Sequence, residues 1–114
     1  MPTTTVDDPA VIEEEITDLE ARRDRLREKR QAVEDDLQDA RAALQTADGD
    51  EEEEKSLERA ERLQIRASTL DEATTEIEVA IESLRDRLED ARAARREEER
   101  LEKLATLGRE AVEK

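Results

Sequence analysis

The stretch TADGDEEEE, residues 46–54, decides how this chain folds, because it holds the only Gly or Pro in the central part of the sequence. A glycine suits the left-handed residue just past the end of a helix. Asp50, followed three residues later by Glu53, resembles the capping pair that starts a new helix. Asp48, Gly49 and Asp50 are therefore predicted to form a turn between two helices.

On both sides of this stretch, apolar residues recur at alternating spacings of three and four. The repeat runs from Ile12 to Ala47 and again from Ala60 to Ala91. Such a repeat, sustained over this length, predicts a coiled coil and argues against the disorder that 48% of charged residues would otherwise suggest. We expect the seam to contain Ile12, Ile16, Leu19, Leu26, Val33, Leu37, Leu44, Leu63, Leu70, Ile77, Ile81, Leu84 and Leu88.

Two arrangements fit this repeat: a hairpin that folds back at Gly49, and one straight helix in which Gly49 is tolerated at a cost of about 1 kcal/mol. The repeat loses its frame across Gly49, which favours the hairpin. Folding the chain about residue 50 also brings a positions of one helix opposite d positions of the other, as in Ile12 opposite Leu88. A parallel dimer of straight rods would instead stack Arg23 on Arg23 at the seam.

We therefore predict an all-α fold, an antiparallel two-helix coiled-coil hairpin with a C-terminal helical overhang, which forms oligomers. The predicted segments are an N-terminal tail over 1–8, helix 1 over 9–47, a turn over 48–51, helix 2 paired with helix 1 over 52–95, and the overhang over 96–114. Asp8 is the expected cap of helix 1, with Pro9 at its first helical position.

Charges beside the seam indicate which residues face each other in this hairpin. The predicted pairs are Glu13 with Arg85, Glu15 with Arg87, Arg27 with Asp71, and Asp36 with Arg66. A local run of bases comprises Arg22, Arg23, Arg25, Arg27, Lys29 and Arg30. Two interpretations of this run stay open: the bases pair with acids one helical turn away, or they meet an acidic partner or a phosphate.

The overhang carries a fresh apolar group made of Leu101, Leu104, Leu107 and Val112, with Gly108 as a candidate break. These residues lie past the last residue that has an opposite number in helix 1. An apolar face left in water is typical of a contact surface. We therefore predict a docking or self-association segment here, with a frayed tail as the alternative.

Composition excludes most kinds of chemistry. The chain has 35 acids, 20 bases and a net charge of −15, with no Cys, His, Phe, Trp or Tyr. We expect no enzyme activity, because a two-helix rod has no pocket to desolvate a carboxylate. We also expect no cofactor, no metal, no small-molecule substrate, and no direct binding to nucleic acid or membrane, since both of these polyanions need basic residues. The acids at 51–54 are expected to be a solvated helix start.

The same composition suggests a habitat and a location. Only four of the bases are lysine, and this acid excess with few lysines indicates a halophilic protein whose charges are screened in molar salt. The start MPTTTVDDP is polar and shows no secretory signal, and no apolar run is long enough to span a membrane. We expect a location in the cytoplasm or in an assembled particle.

No motif in the sequence singles out a known family. The predicted function is therefore that of a structural assembly protein, which associates with itself or docks onto a larger complex of proteins. By analogy alone, a scaffolding or accessory part of a virus-like particle has this form. The alternatives are an acidic decoy or regulator that covers a basic partner surface, and a coiled-coil spacer within a longer protein.

Overall fold

The computed structural model describes residues 8–113 and contains two long helices with no strand in that range. Helix α1 spans Pro9–Gln45 and helix α2 spans Asp50–Glu113. This confirms the predicted all-α class. The tail residues 1–7 lie outside the described residues, as does the side chain of Val112.

Asp8 starts α1 in the predicted way. Its Oδ1 accepts a hydrogen bond from the Ala10 N–H at 3.0 Å. Its carbonyl oxygen accepts the N–H groups of Val11 and Ile12, both at 3.1 Å. These bonds satisfy donors that have no partner within the helix, and Pro9 lacks such a donor altogether.

Helix α1 ends at Gln45, earlier than the predicted residue 47. The Ala47 N–H bonds to the Leu44 carbonyl, three residues earlier, at 3.4 Å. This is the spacing of a 3₁₀ turn, whereas an α-helix bonds residues four apart. The Thr46 hydroxyl donates toward the Ala42 carbonyl at 3.3 Å. The same bond is made inside the helices by Thr17, Thr69, Thr74 and Thr75, so the Thr46 hydroxyl alone does not end α1.

Helix α2 begins at Asp50, earlier than the predicted residue 52, because the Gly49 carbonyl already accepts the Glu53 N–H at 3.1 Å. Gly49 has φ +115°, so it supplies the predicted positive φ. Gly49 lies directly before α2, however, and not directly after the end of α1. The acid that reaches back is Glu52, whose Oε2 accepts the Asp48 N–H at 3.0 Å, in place of the expected Glu53. The candidate break at Gly108 does not occur, since α2 continues through it.

The chain divides into two compact units, each with a core of its own. The turn unit is Leu19–Ala80, and the terminal unit combines Met1–Asp18 with Ile81–Lys114. The buried apolar residues of the turn unit are Val33, Leu37, Ala40 and Ala67; those of the terminal unit are Ile12, Ile16, Ile81, Leu84, Leu88 and Ala91. All of them belong to the apolar repeat, and no polar side chain is buried among the described residues.

Two of the predicted charge pairs are replaced by pairs one heptad further along α2. Within the turn unit, Arg27 Nη2 lies 3.7 Å from Glu78 Oε1, where Asp71 was expected. Within the terminal unit, Glu13 pairs with Arg92, where Arg85 was expected.

The reason is the direction of the side chains. Each Cα–Cβ bond tilts toward the N-terminus of its own helix, so in the predicted antiparallel pair the side chains of the two helices lean in opposite directions. The charged ends of two long side chains therefore meet when both residues lie further toward the C-terminus of their own helices than a straight outward projection would place them. The predicted pair of Asp36 with Arg66 also does not form, since neither residue has an ion pair with any other described residue.

Candidate functional site

The predicted seam residues fall into two groups by exposure. The buried ones are Ile12, Ile16, Val33, Leu37, Ile81, Leu84 and Leu88. The half-buried ones are Leu19, Leu26, Leu44, Leu63, Leu70 and Ile77.

Most of the half-buried seam residues lie in one part of the turn unit. We call this part, residues 19–30 of α1 with residues 70–80 of α2, the loose stretch; none of its residues is buried. Arg23 and Arg30 occupy seam positions there, and Thr74 occupies another. A guanidinium extends its charged end toward water, so apolar side chains cannot close over the seam at these levels.

A surface groove of about 460 Å³ follows the loose stretch. Leu26, Ala73 and Ile77 form its apolar floor. Arg22, Arg25 and Lys29 line it from α1, and Glu76 lines it from α2. The groove therefore has a basic wall, an acidic residue on the other wall, and apolar side chains between them.

The structure divides the run of bases in α1 into two sets. Arg23 pairs with Asp24 at 3.2 Å, Arg27 with Glu78, and Arg30 with both Glu34 and Asp71. The basic wall of the groove is the other set: Arg22, Arg25 and Lys29 have no ion pair with any described residue. Only Arg30 pairs with an acid one helical turn away, so that interpretation accounts for one base of the run. The half of the run that lines the groove keeps its charges available.

The Arg30 guanidinium is the centre of a small network. Its Nη1 donates to Glu34 Oε2 at 2.8 Å, and its Nε donates to Asp71 Oδ1 at 2.9 Å. The hydrogen bond from Arg30 lowers the pKa of Glu34, and the same two acids raise the pKa of Arg30. This network holds Arg30 in place at the end of the loose stretch.

Three further bases of the turn unit have neither an ion pair nor a hydrogen bond with any described residue: Arg59, Arg62 and Arg66. Arg59 and Arg66 have the same heptad position as the groove residues Arg22 and Lys29. The heptad therefore places all of these bases on one flank of the seam. None of the three lines the groove.

The apolar group of the overhang is exposed. Leu101, Leu104 and Leu107 are 53%, 52% and 60% exposed, and no described side chain after Ala91 is buried. Monomeric proteins scatter single exposed leucines, but three at spacings of three residues form one row along a helix. We call these three residues the leucine row.

The overhang is nearly neutral, unlike the remainder of the chain. Residues 96–114 hold five bases and six acids, a net charge of −1, whereas residues 1–95 hold fifteen bases and twenty-nine acids, a net charge of −14. Glu97 and Arg100 form an ion pair at 2.7 Å, and the hydrogen bond from Arg100 lowers the pKa of Glu97. The leucine row is thus the apolar surface that another acidic molecule can approach with the least repulsion.

The acids at the start of α2 serve the helix itself. Glu52 bonds to the Asp48 N–H, and Glu51 pairs with Lys55 at 3.6 Å. Over residues 8–113, no group of three or more acidic side chains converges where a metal ion could sit. In the same range, neither helix has an apolar stretch suited to crossing a membrane.

Comparisons with protein-family models, with curated proteins and with solved structures found no match to this chain. The surfaces are therefore interpreted from their own geometry. The leucine row was visible in the sequence, but the groove was not. One signal for the groove was present in the sequence: Arg23 and Arg30 interrupt the apolar repeat. They belong to a run of bases that outnumbers the nearby acids.

Proposed function

We propose that this chain is a non-enzymatic assembly protein, an antiparallel two-helix coiled-coil hairpin that joins other protein molecules through its leucine row. In this proposal the C-terminal part of α2 makes the contact. A scaffolding or accessory role within a larger particle fits such a molecule.

The ion pairs between α1 and α2 support the hairpin. In the turn unit, Arg27 lies near Glu78, Arg30 near Asp71, and Arg41 donates to Gln64 at 3.2 Å. The number of the α2 partner falls as the number of the α1 residue rises, as in an antiparallel pair. In the terminal unit, the pair of Glu13 with Arg92 follows the same order.

The exposure of the leucine row is the single observation that carries the proposed assembly role. Each large apolar side chain that becomes fully buried contributes roughly 1.5–3 kcal/mol. Three leucines in one row therefore offer enough driving force for a contact of moderate strength, if their helix is already formed. The low net charge of the overhang keeps repulsion from opposing that contact.

The test is the mass of the protein in solution. Light scattering coupled to size exclusion should give a mass above the 13.1 kDa of one chain. The double variant Leu104→Asp, Leu107→Asp should fall to 13.1 kDa and keep its helix content by circular dichroism. A matched control is Ile65→Asp, Val79→Asp, which adds the same charges at two other exposed apolar residues of α2 and should leave the mass unchanged.

Two results would contradict the proposal. One is a mass of 13.1 kDa for the unaltered chain at every concentration. The other is an equal decrease in the measured mass of the leucine-row variant and of the control. That result would mean that added negative charge alone prevents association.

The charge of −15 favours a second candidate, an acidic protein that covers a basic partner surface. Salt separates the two functions. A contact made by charge weakens as salt rises from low to molar concentration, because the Debye length falls to about 3 Å at 1 M. A contact made by the leucine row persists there, so association in molar salt supports the assembly role.

A further inference from the structure

The apolar side chains of the loose stretch are only partly covered, and a third helix could cover the surface that remains exposed. Leu26 and Ile77 are half-buried at the floor of the groove, whereas Val33 and Leu37 in the same unit are buried. Apolar side chains laid into the groove would remove the remaining exposed surface of Leu26 and Ile77 from water.

The walls of the groove specify the charges of such a helix. The α1 wall presents Arg22, Arg25 and Lys29, which have no ion pair among the described residues, and the α2 wall presents Glu76. An occupant with acids along one side and bases along the other would match both walls.

The overhang has this pattern. Glu98 and Glu102, one turn apart, lie on one side of Leu101 and Leu104 when α2 is viewed along its axis. Arg96 and Lys103 lie on the other side, beside Leu107. The ion pair of Glu97 with Arg100 lies between these two borders, among the leucines. Over residues 96–107, the overhang is therefore an amphipathic helix, with Glu98 and Glu102 along one border of the leucine row and Arg96 and Lys103 along the other.

We propose that the groove receives the overhang of a second copy of this chain. Leu101 and Leu104 of that copy cover Leu26 and Ile77. Its acidic border faces the basic wall, and its basic border faces Glu76. This inference rests on the proposed assembly role and identifies the partner of the leucine row.

A phosphate polymer fits the groove less well than this helix. The floor is apolar and carries no aromatic side chain on which a base could stack. Glu76 would repel phosphates, and so would the net charge of −15. An amphipathic helix uses the floor and both walls.

Cysteine cross-linking tests the contact, because the chain has no cysteine of its own. One preparation carries Arg25→Cys and a second, made longer by a tag, carries Glu102→Cys. After mixing and mild oxidation, we expect a disulfide-linked dimer of the two lengths. The matched control replaces Arg25→Cys by Arg62→Cys, a base on the same flank outside the groove, and should give about tenfold less of that dimer.

Three outcomes of cross-linking would overturn the proposal. The first is no mixed dimer, and the second is an equal yield from the control. The third comes from the double variant Arg25→Cys, Glu102→Cys at high dilution: closure of the disulfide within one chain would show that the groove holds the overhang of its own molecule.

Charge reversal gives a second, independent measurement. The triple variant Arg22→Glu, Arg25→Glu, Lys29→Glu should weaken self-association by about tenfold or more, as the loss of several exposed ion pairs implies. The matched triple variant Arg59→Glu, Arg62→Glu, Arg66→Glu has the same change in net charge and should keep the affinity of the unaltered chain within about twofold. Adding Glu98→Lys and Glu102→Lys to the first triple variant should restore association.

The results separate this inference from the assembly role itself. If Leu104→Asp, Leu107→Asp dissociates the protein while the groove triple variant does not, the assembly role stands and the groove is not the receptor. If the leucine-row variant leaves the mass unchanged, the assembly role is wrong and the inference falls with it. Equal weakening by both triple variants would mean that net charge, and not the groove, sets the affinity.

Discussion

Replacing each of the two helix-associated glycines by alanine should change stability in opposite directions. Gly49 has φ +115°, and a Cβ built on it meets no atom within 4 Å. The cost of Gly49→Ala is therefore conformational and not steric. A residue with a Cβ loses roughly 1–2 kcal/mol in a left-handed conformation, so we expect a loss of at least about 1 kcal/mol.

Gly108→Ala is the matched control for this change. Gly108 lies inside α2, has no positive φ, and also has open space around it. Alanine is favoured over glycine in a helix interior by about 1 kcal/mol. The same substitution should therefore raise the helix content of the overhang and leave the unfolding temperature unchanged or higher.

Thermal unfolding followed by circular dichroism at one protein concentration measures both effects. A loss of about 1 kcal/mol should lower the melting temperature of Gly49→Ala by roughly 4–8 °C. If the chain were instead one straight helix through residue 49, Gly49→Ala would stabilise it by about 1 kcal/mol. A rise in melting temperature for Gly49→Ala, of the kind expected for Gly108→Ala, would refute the fold-back at this residue.

Two further predictions concern the core and the Arg30 network. Leu37→Ala should cost about 2–5 kcal/mol in urea unfolding, because Leu37 is 2% exposed, and Leu57→Ala should cost at most about 0.5 kcal/mol, because Leu57 is 45% exposed; equal losses would contradict the assigned seam. Arg30→Gln should raise the lowered pKa of Glu34 in an NMR titration. Because that pKa is lowered in the folded chain, the interaction stabilises above the ordinary pKa of a glutamate and disappears as pH falls through the lowered value, so the stability difference between Arg30→Gln and the unaltered chain should shrink in acid. An unchanged Glu34 titration would contradict the hydrogen bond.

The helices and their buried face could be predicted because both follow from the spacing of residues within one chain segment. An apolar repeat determines which face of a helix avoids water, whatever it packs against. Every buried side chain among the described residues, from Ile12 to Ala91, therefore lies on the repeat identified in the sequence.

The partners across the seam could not be predicted to the same precision. Pairing Arg27 with Asp71 assumed that side chains project straight outward, whereas their tilt along the helix moves the contact to Glu78. The turn shows the same limit, since the bond of the Ala47 N–H to the Leu44 carbonyl and the bond of Glu52 to the Asp48 N–H are not visible in residue spacing.

The two candidate surfaces differ in how much of each could be predicted. The leucine row needs only the spacing of Leu101, Leu104 and Leu107, which the sequence contains. The groove depends on where Arg22 and Ile77 lie relative to each other, and these residues are distant in sequence. Which bases keep their charges unpaired likewise depends on side chains from both helices.

One flank of the turn unit holds six bases without an ion pair among the described residues, whereas Asp71 and Glu78 lie across the seam from them. This arrangement gives the unit a transverse electric dipole. A molecule with an anionic face would be captured more often in one orientation, because the dipole turns the basic flank toward it during diffusional encounter. The asymmetry therefore governs how quickly a correct encounter occurs, and dilute buffer should reveal it as a faster association rate at unchanged lifetime of the complex.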